Sequence, residues 1–290
     1  MIRFIFESDI PSWSNPDVLK ARLQKWQLAG FNAVMLQVDD GHGPTWDTPA
    51  WAVDSRVKHD ALRMAVDEIH AHGMSAIPCV SLAVFNPSFS HYAELRLKNF
   101  QFPFYDFWSG EFRNRRAQML VDLQNVCDLD GLALDYLRTG REAIGEELPS
   151  REVLFQWMTQ VRADISAGVP ILSVHHSSYS SGVKEGVNLT LWGDSSLIDG
   201  AVLFDYSPIF PSGHAESLMK SSSLDVWPLI GNYDWTNNQA VARSGNDVSR
   251  IWRSVQREIC PNGIGVYLGN LLTDEQVVSI RNTQRMVAGL

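Results

Sequence analysis

The chain has 290 residues, 45% of them hydrophobic and 20% charged, with a formal net charge of −9. That length supports a large core, and the acidic balance works against a polyanion partner, because nucleic-acid affinity rests on Lys and Arg neutralising phosphates. No apolar run approaches the roughly 20 residues that span a bilayer, so neither nucleic acid nor a membrane is expected as a partner.

The first segment, Met-Ile-Arg-Phe-Ile-Phe-Glu, is too short an apolar run for a signal peptide and reads as a strand. Similar short apolar runs recur at 33–38, 76–81, 131–134, 171–174, 200–204, 226–230 and 263–268, after the first at 3–6. Helical periodicity falls between them at 17–29, 60–72, 113–126, 151–167 and 246–258, and 274–287 closes the chain. Start signals support several: Asn15-Pro16, Pro149-Ser150, and Thr273-Asp274-Glu275-Gln276, which has capping-box spacing. Weaker helical patterns occupy 189–196 and 212–222. Strand and helix alternating eight times predicts an α/β protein, a single (β/α)₈ barrel over 1–290. Cys79, Cys127 and Cys260 are widely spaced, odd in number and without metal-like pairing. Buried, reduced thiols and a cytoplasmic protein are expected.

Loop lengths distinguish the two ends of such a barrel. Helix-to-strand connections are minimal, as at 30–32 and 261–262, whereas strand-to-helix connections at 39–59 and 82–112 are long. Long loops in compact domains are usually functional, and barrels keep their chemistry at the C-terminal ends of the strands. Polar residues gather at those ends: Glu7 and Asp9, Asp39 and Asp40, Asp135, His175 and His176, Asp205 and Tyr206, then Asp234. Glu7 and Asp9 are expected at the pocket floor. Side-chain alternation sends one of the two adjacent histidines into the mouth, and His175 is taken as that one.

Paired carboxylates at one mouth are what glycoside hydrolysis needs. Arg138, three residues on, is expected to lower the Asp135 pKa and keep it ionised, and partial desolvation after an apolar run is expected to raise that of Asp205. Asp39, Asp40, Trp46, Tyr136, Arg138, His175, Tyr206, Asp234 and Trp235 are the candidate substrate-binding residues. The long loops also carry Trp51, Phe85, Phe89, Phe100, Phe102, Phe104, Tyr105, Phe107 and Trp108. Flat rings suit the apolar faces of sugars, but rings in such numbers also anchor a long loop to its barrel.

The stretch Asp-Gly-Leu-Ala-Leu-Asp-Tyr-Leu-Arg at 130–138 resembles the strand-four signature of the glycoside-hydrolase-like group of barrels. Residues 30–40 resemble that group's second strand, and 198–214 its sixth strand with the following loop. Thr139-Gly140 departs from the Phe-Pro that often follows the arginine. The group is similar in turn to barrels of the α-galactosidase type, with the nucleophile ending strand four and the acid/base ending strand six. The resemblance implies a glycosidase with an oligo- or polysaccharide substrate, no cofactor and no metal, using Asp135 and Asp205. Two other readings remain: a carbohydrate-binding barrel without catalysis, and a metal-dependent hydrolase or deacetylase using Asp39, His175, His176 and Asp205.

Overall fold

The computed structural model describes residues 1–58, 60–86, 92–97, 104–138, 147–177, 183–184, 186–236 and 239–287, with backbone alone at 147–150, 183–184, 235 and 287. Eight parallel strands close a barrel in chain order: β1 (Ile2–Glu7), β2 (Ala33–Asp39), β3 (Ser75–Ser81), β4 (Leu132–Asp135), β5 (Ile171–His176), β6 (Gly200–Asp205), β7 (Asp225–Gly231) and β8 (Gly263–Tyr267). The last strand pairs back onto the first, with Ile5 opposite Val266. Each strand is followed by its helix: α1 (Pro16–Ala29), α2 (Ala61–Ala71), α3 (Gly110–Val126), α4 (Glu147–Asp164), α5 (Leu189–Asp194), α6 (Ser212–Ser221), α7 (Gly245–Ile259) and α8 (Asp274–Val287). This is the (β/α)₈ barrel that the periodicity predicts, and both weak helical patterns are helices.

Local chemistry accounts for the helix boundaries. The Asn15 side chain accepts from the Asp17 amide at 3.1 Å, and Pro16 needs no acceptor at the first helical position. The capping box of α8 is formed, with the Gln276 amide on Thr273 Oγ1 at 3.2 Å and the Thr273 amide on Gln276 Oε1 at 3.1 Å. Helix α4 starts at Glu147, ahead of the Pro149-Ser150 signal, which a proline in the first turn permits. Periodicity missed a four-residue helix, Ile10–Trp13, and two hairpins, Val183–Lys184 with Val187–Asn188 and Tyr233–Thr236 with Gln239–Ala242. All three elaborate strand-to-helix loops. Of the three thiols only Cys79 is buried; Cys127 is half-buried and Cys260 is exposed at the left-handed C-cap of α7.

Alternation divides each strand between two cores. Phe4, Phe6, Met35, Ile77, Cys79, Ala133, Val174, Val202, Trp227 and Leu229 fill the barrel interior, while residues of opposite parity, such as Ile5, Leu36, Leu134 and Leu203, pack under the helices. The interior floor pairs large rings with absent side chains. A Cβ at Gly263 would come within 2.6 Å of the Trp227 ring, and one at Gly265 would overlap the Phe4 ring. Gly265→Ala is therefore expected to cost about 1–3 kcal/mol through overpacking. Chemical denaturation checks this, and a midpoint equal to that of the parent chain would contradict it.

Candidate active site

The interior parity leads upward into a cavity of about 310 Å³ at the C-terminal ends of the strands. Its walls have two characters. One side is aromatic, an arc of Phe204, Tyr206, Tyr267 and Phe6 that His176 extends beyond the cavity lining. His176 meets Phe204 edge-on at 5.4 Å, Phe204 stacks on Tyr206 at 5.2 Å, Tyr206 stacks on Tyr267 at 4.7 Å, and Tyr267 meets Phe6 at 5.0 Å. Gly231 makes room for this arc, because a Cβ there would sit 3.0 Å from the Tyr206 Cα. Arg243, itself buried, ties the loops by donating to the Gly231 carbonyl at 2.8 Å and to the Tyr206 carbonyl.

The other side is polar and comes from β2, β3 and β4. Asp135 ends β4 on the same parity as Ala133, so it turns inward. Its Oδ1 accepts from the Tyr136 amide at 2.7 Å. Burial pushes its carboxyl up to about 6, with the Tyr136 amide and the Arg138 charge opposing that rise only in part. The expectation of a lowered pKa set by Arg138 is thus corrected, because desolvation outweighs the neighbouring cation. Tyr136 follows with a positive φ of 50° and also lines the cavity. Arg138 lies 5.0 Å from the Tyr136 ring and 5.3 Å from the Phe104 ring, which places it beside the mouth.

Asp40 faces Asp135's cavity through a shift in register. The pairing of β2 with β3 slips between Gln37 and Asp39. Val38 and Asp39 both pack outside the barrel wall, and Asp40 lines the cavity. Burial raises the Asp40 pKa, but hydrogen bonds from Arg56 at 2.7 Å and His42 at 2.9 Å, with their charges, bring it below the ordinary value. Between the two carboxylates sit Gln37 and Ser81. Gln37 Nε2 donates to the Cys79 carbonyl at 3.2 Å and to Ser81 Oγ at 3.0 Å. A carbonyl only accepts, so the amide nitrogen is fixed there, which leaves Oε1 as the acceptor for the cavity.

Several expected site residues point elsewhere. Asp205 has the outward parity of Ala201 and Leu203 and does not line this cavity. Burial raises its pKa, yet hydrogen bonds from Ser177 Oγ and from Ser207, the latter's amide at 2.9 Å, bring it below the ordinary value. The expectation of a raised pKa is corrected. Asp39 is sealed against Arg116 of α3 at 2.6 Å, both side chains fully buried. His175 also faces outward, bonded to Ser173 Oγ at 2.7 Å, and burial then the Arg138 charge push its pKa down to about 3. His176, not His175, has the inward parity. Glu7 faces α1, where Arg22 holds it at 2.8 Å, and burial raises its pKa to about 7. Ser8, not Glu7 or Asp9, lines the cavity at the end of β1.

Trp46 is a core residue, 2% exposed, as is Trp51, whose ring packs against Arg116 at 4.2 Å and Tyr105 at 5.2 Å. Most loop aromatics described thus anchor the loops, while Phe89, Phe100, Phe102, Thr139 and Gly140 lie outside the described residues. Asp234 is half-exposed and pairs with Arg243 at 2.6 Å, on the hairpin whose Trp235 side chain is outside the described residues. Among the described residues no three His, Cys, Asp or Glu side chains gather as a metal-binding group. The set proposed for a metal is dispersed, with Asp39 on Arg116, His175 on Ser173 and Asp205 on Ser177. No helix among them is long and apolar enough to cross a membrane.

Comparison with solved structures finds the same fold in other barrels. The glycoside hydrolase domain of PgaB (BpsB) from Bordetella bronchiseptica superposes with a TM-score of 0.73 at 11% identity, covering 98% of each chain. A class V chitinase from Pseudomonas fluorescens Pf-5 gives 0.68 at 9% identity, covering 98% of this chain and 99% of its own. The α-L-fucosidase isoenzyme 2 from Paenibacillus thiaminolyticus gives 0.71 at 12% identity, covering all of this chain, which spans 49% of that enzyme. The likeness is one of fold. The sequence matches no family model and no curated protein.

Proposed function

We propose that this barrel hydrolyses glycosidic bonds, with Asp135 as the proton-donating carboxyl and Asp40 as its ionised counterpart. The observation that carries the reading is a cavity in which one carboxyl is pushed up to about 6 by burial while another is held low by Arg56 and His42. Environments that drive two carboxyls apart assign the acid and the base. Asp135 protonates the leaving oxygen, and the Asp40 carboxylate stabilises the positive charge that develops at the anomeric carbon or activates the attacking group there. The stacked Phe204, Tyr206 and Tyr267 offer a flat apolar surface to a sugar ring. Gln37 and Ser81 meet its hydroxyls.

Support also comes from the fold shared with glycoside hydrolase barrels and from the strand-four motif, whose resemblance to the glycoside-hydrolase-like group centres on Asp135. Asp205, whose side chain is engaged by Ser177 and Ser207, gives up the role of acid to Asp135. The substrate class is an oligo- or polysaccharide.

The pH profile tests the assignment. With Asp135 as the acid, kcat/KM is highest below its pKa of about 6 and falls about tenfold per pH unit above it. Asp40, held low, stays ionised across that range. Turnover measured on a panel of glycans or aryl glycosides should show this alkaline limb. A profile flat from about pH 5 to about pH 8 would remove Asp135 from proton transfer.

A further inference from the structure

The opposite face of the barrel, where the strands begin, holds a second cavity of about 290 Å³. We infer that this cavity is a binding site for a phosphate-type oxyanion, formed by Arg3, Arg281 and Arg285. Arg3 enters from the start of β1, and Arg281 and Arg285 from the end of α8, with Gln27, Leu28, Gly30 and Gln284 completing the wall. No acidic side chain lines it, in a chain whose net charge is −9. None of the three guanidinium groups forms an ion pair among the described residues.

Side-chain contacts hold Arg3 in the wall of the cavity. Arg3 Nη1 donates to Gln284 Oε1 at 3.2 Å, which turns the Gln284 amide nitrogen away from Arg3. Arg3 Nε and Gln284 Nε2 are both buried N–H groups with no acceptor. Both lie behind the cavity wall, so the ligand contacts fall to the remaining guanidinium N–H groups. Gly30 permits the arrangement: it caps α1 at a φ of +88°, and a Cβ on it would overlap Gln284 Oε1.

Helix dipoles account for only part of this charge. Arg285 sits in the last turn of α8, where a cation favours the carbonyl end. Arg281 lies a turn earlier and Arg3 is on a strand. The C-terminal ends of α1 and α8 together contribute roughly one negative charge, against three guanidinium charges. The surplus is positive, and forked guanidinium donors match tetrahedral oxyanions.

The test is isothermal titration of the full chain with inorganic phosphate at low ionic strength, with glucose 6-phosphate as a second probe. Saturable binding of either supports the site, and the tighter of the two tells whether it takes free phosphate or a phosphoester. Arg281→Ala/Arg285→Ala alters two exposed side chains and is expected to keep its circular dichroism while losing phosphate affinity at least about tenfold. Asp135→Asn, on the other face, is expected to bind phosphate as the parent does. Absence of saturable binding, unchanged affinity in the double arginine variant, or affinity lost in Asp135→Asn would each overturn the inference. The result is independent of glycosidase activity.

Discussion

Asp135→Asn is expected to abolish hydrolysis while making the folded protein more stable at neutral pH. The kinetic part follows from the role of proton donor: an amide in that position donates no proton to a leaving oxygen, and the loss is about 10²–10⁴-fold in kcat. The stability part follows from the same burial. Asp135 in the folded barrel has its pKa raised from 3.8 to about 6, so the folded state holds a proton that the unfolded chain has released. Below about pH 4 both states are protonated and the group has no effect. Between about pH 4 and about pH 6 stability falls, and above that the loss is complete, amounting to at most about 3 kcal/mol. Asparagine never ionises and keeps an oxygen for the Tyr136 amide. Its melting temperature should therefore exceed that of the parent above pH 6 and converge with it in acid. A variant that loses activity together with stability would mark Asp135 as a structural carboxylate and sink the catalytic reading.

Arg116→Met is expected to destabilise the fold by about 3–5 kcal/mol without a direct effect on chemistry. Arg116 and Asp39 are both fully buried, 2.6 Å apart, with the guanidinium packed on the Trp51 ring at 4.2 Å. Removing the cation strands the Asp39 carboxylate in a dry interior between β2 and α3. Adding Asp39→Asn should recover much of the loss, because the uncompensated charge disappears. Urea unfolding of the parent and of these two variants measures this. An Arg116→Met midpoint close to that of the parent would mean that water reaches Asp39. The two adjacent carboxylates also separate cleanly here: Asp39→Asn is expected to act on stability, and Asp40→Asn on turnover.

The barrel was legible because its evidence is redundant. Eight apolar runs, the helical periodicity between them and short returns at one end all agree, so an error of two residues at any boundary leaves the architecture unchanged. The site depends on one residue of register. Asp135 and Asp205 both end apolar runs, but Asp135 shares parity with Ala133 inside the barrel, and Asp205 shares it with Leu203 outside. Nothing in either run says which parity faces in. The same ambiguity exchanged His175 for His176. At β2 the register slip at Gln37 moves Asp39 to the outer layer and brings Asp40 inward, and such a bulge leaves no local mark in an apolar run. Gln37 and Ser81 carried a signal that went unread: each is a polar residue inside a buried strand, where polarity has to be satisfied or used. Trp46 misled for the opposite reason, since a large ring serves equally well as an anchor and as a platform.

The floor of the barrel has a consequence for traffic. Phe4 and Trp227 seated against Gly265 and Gly263 stopper the interior beneath the cavity. Among the described residues the cavity is closed below, so in the hydrolysis proposed above the sugar, the attacking water and both products would share the side of the strand ends. Departure of the sugar left deepest must then await clearance of whatever sits above it, so accumulated product competes with the next substrate for the same passage.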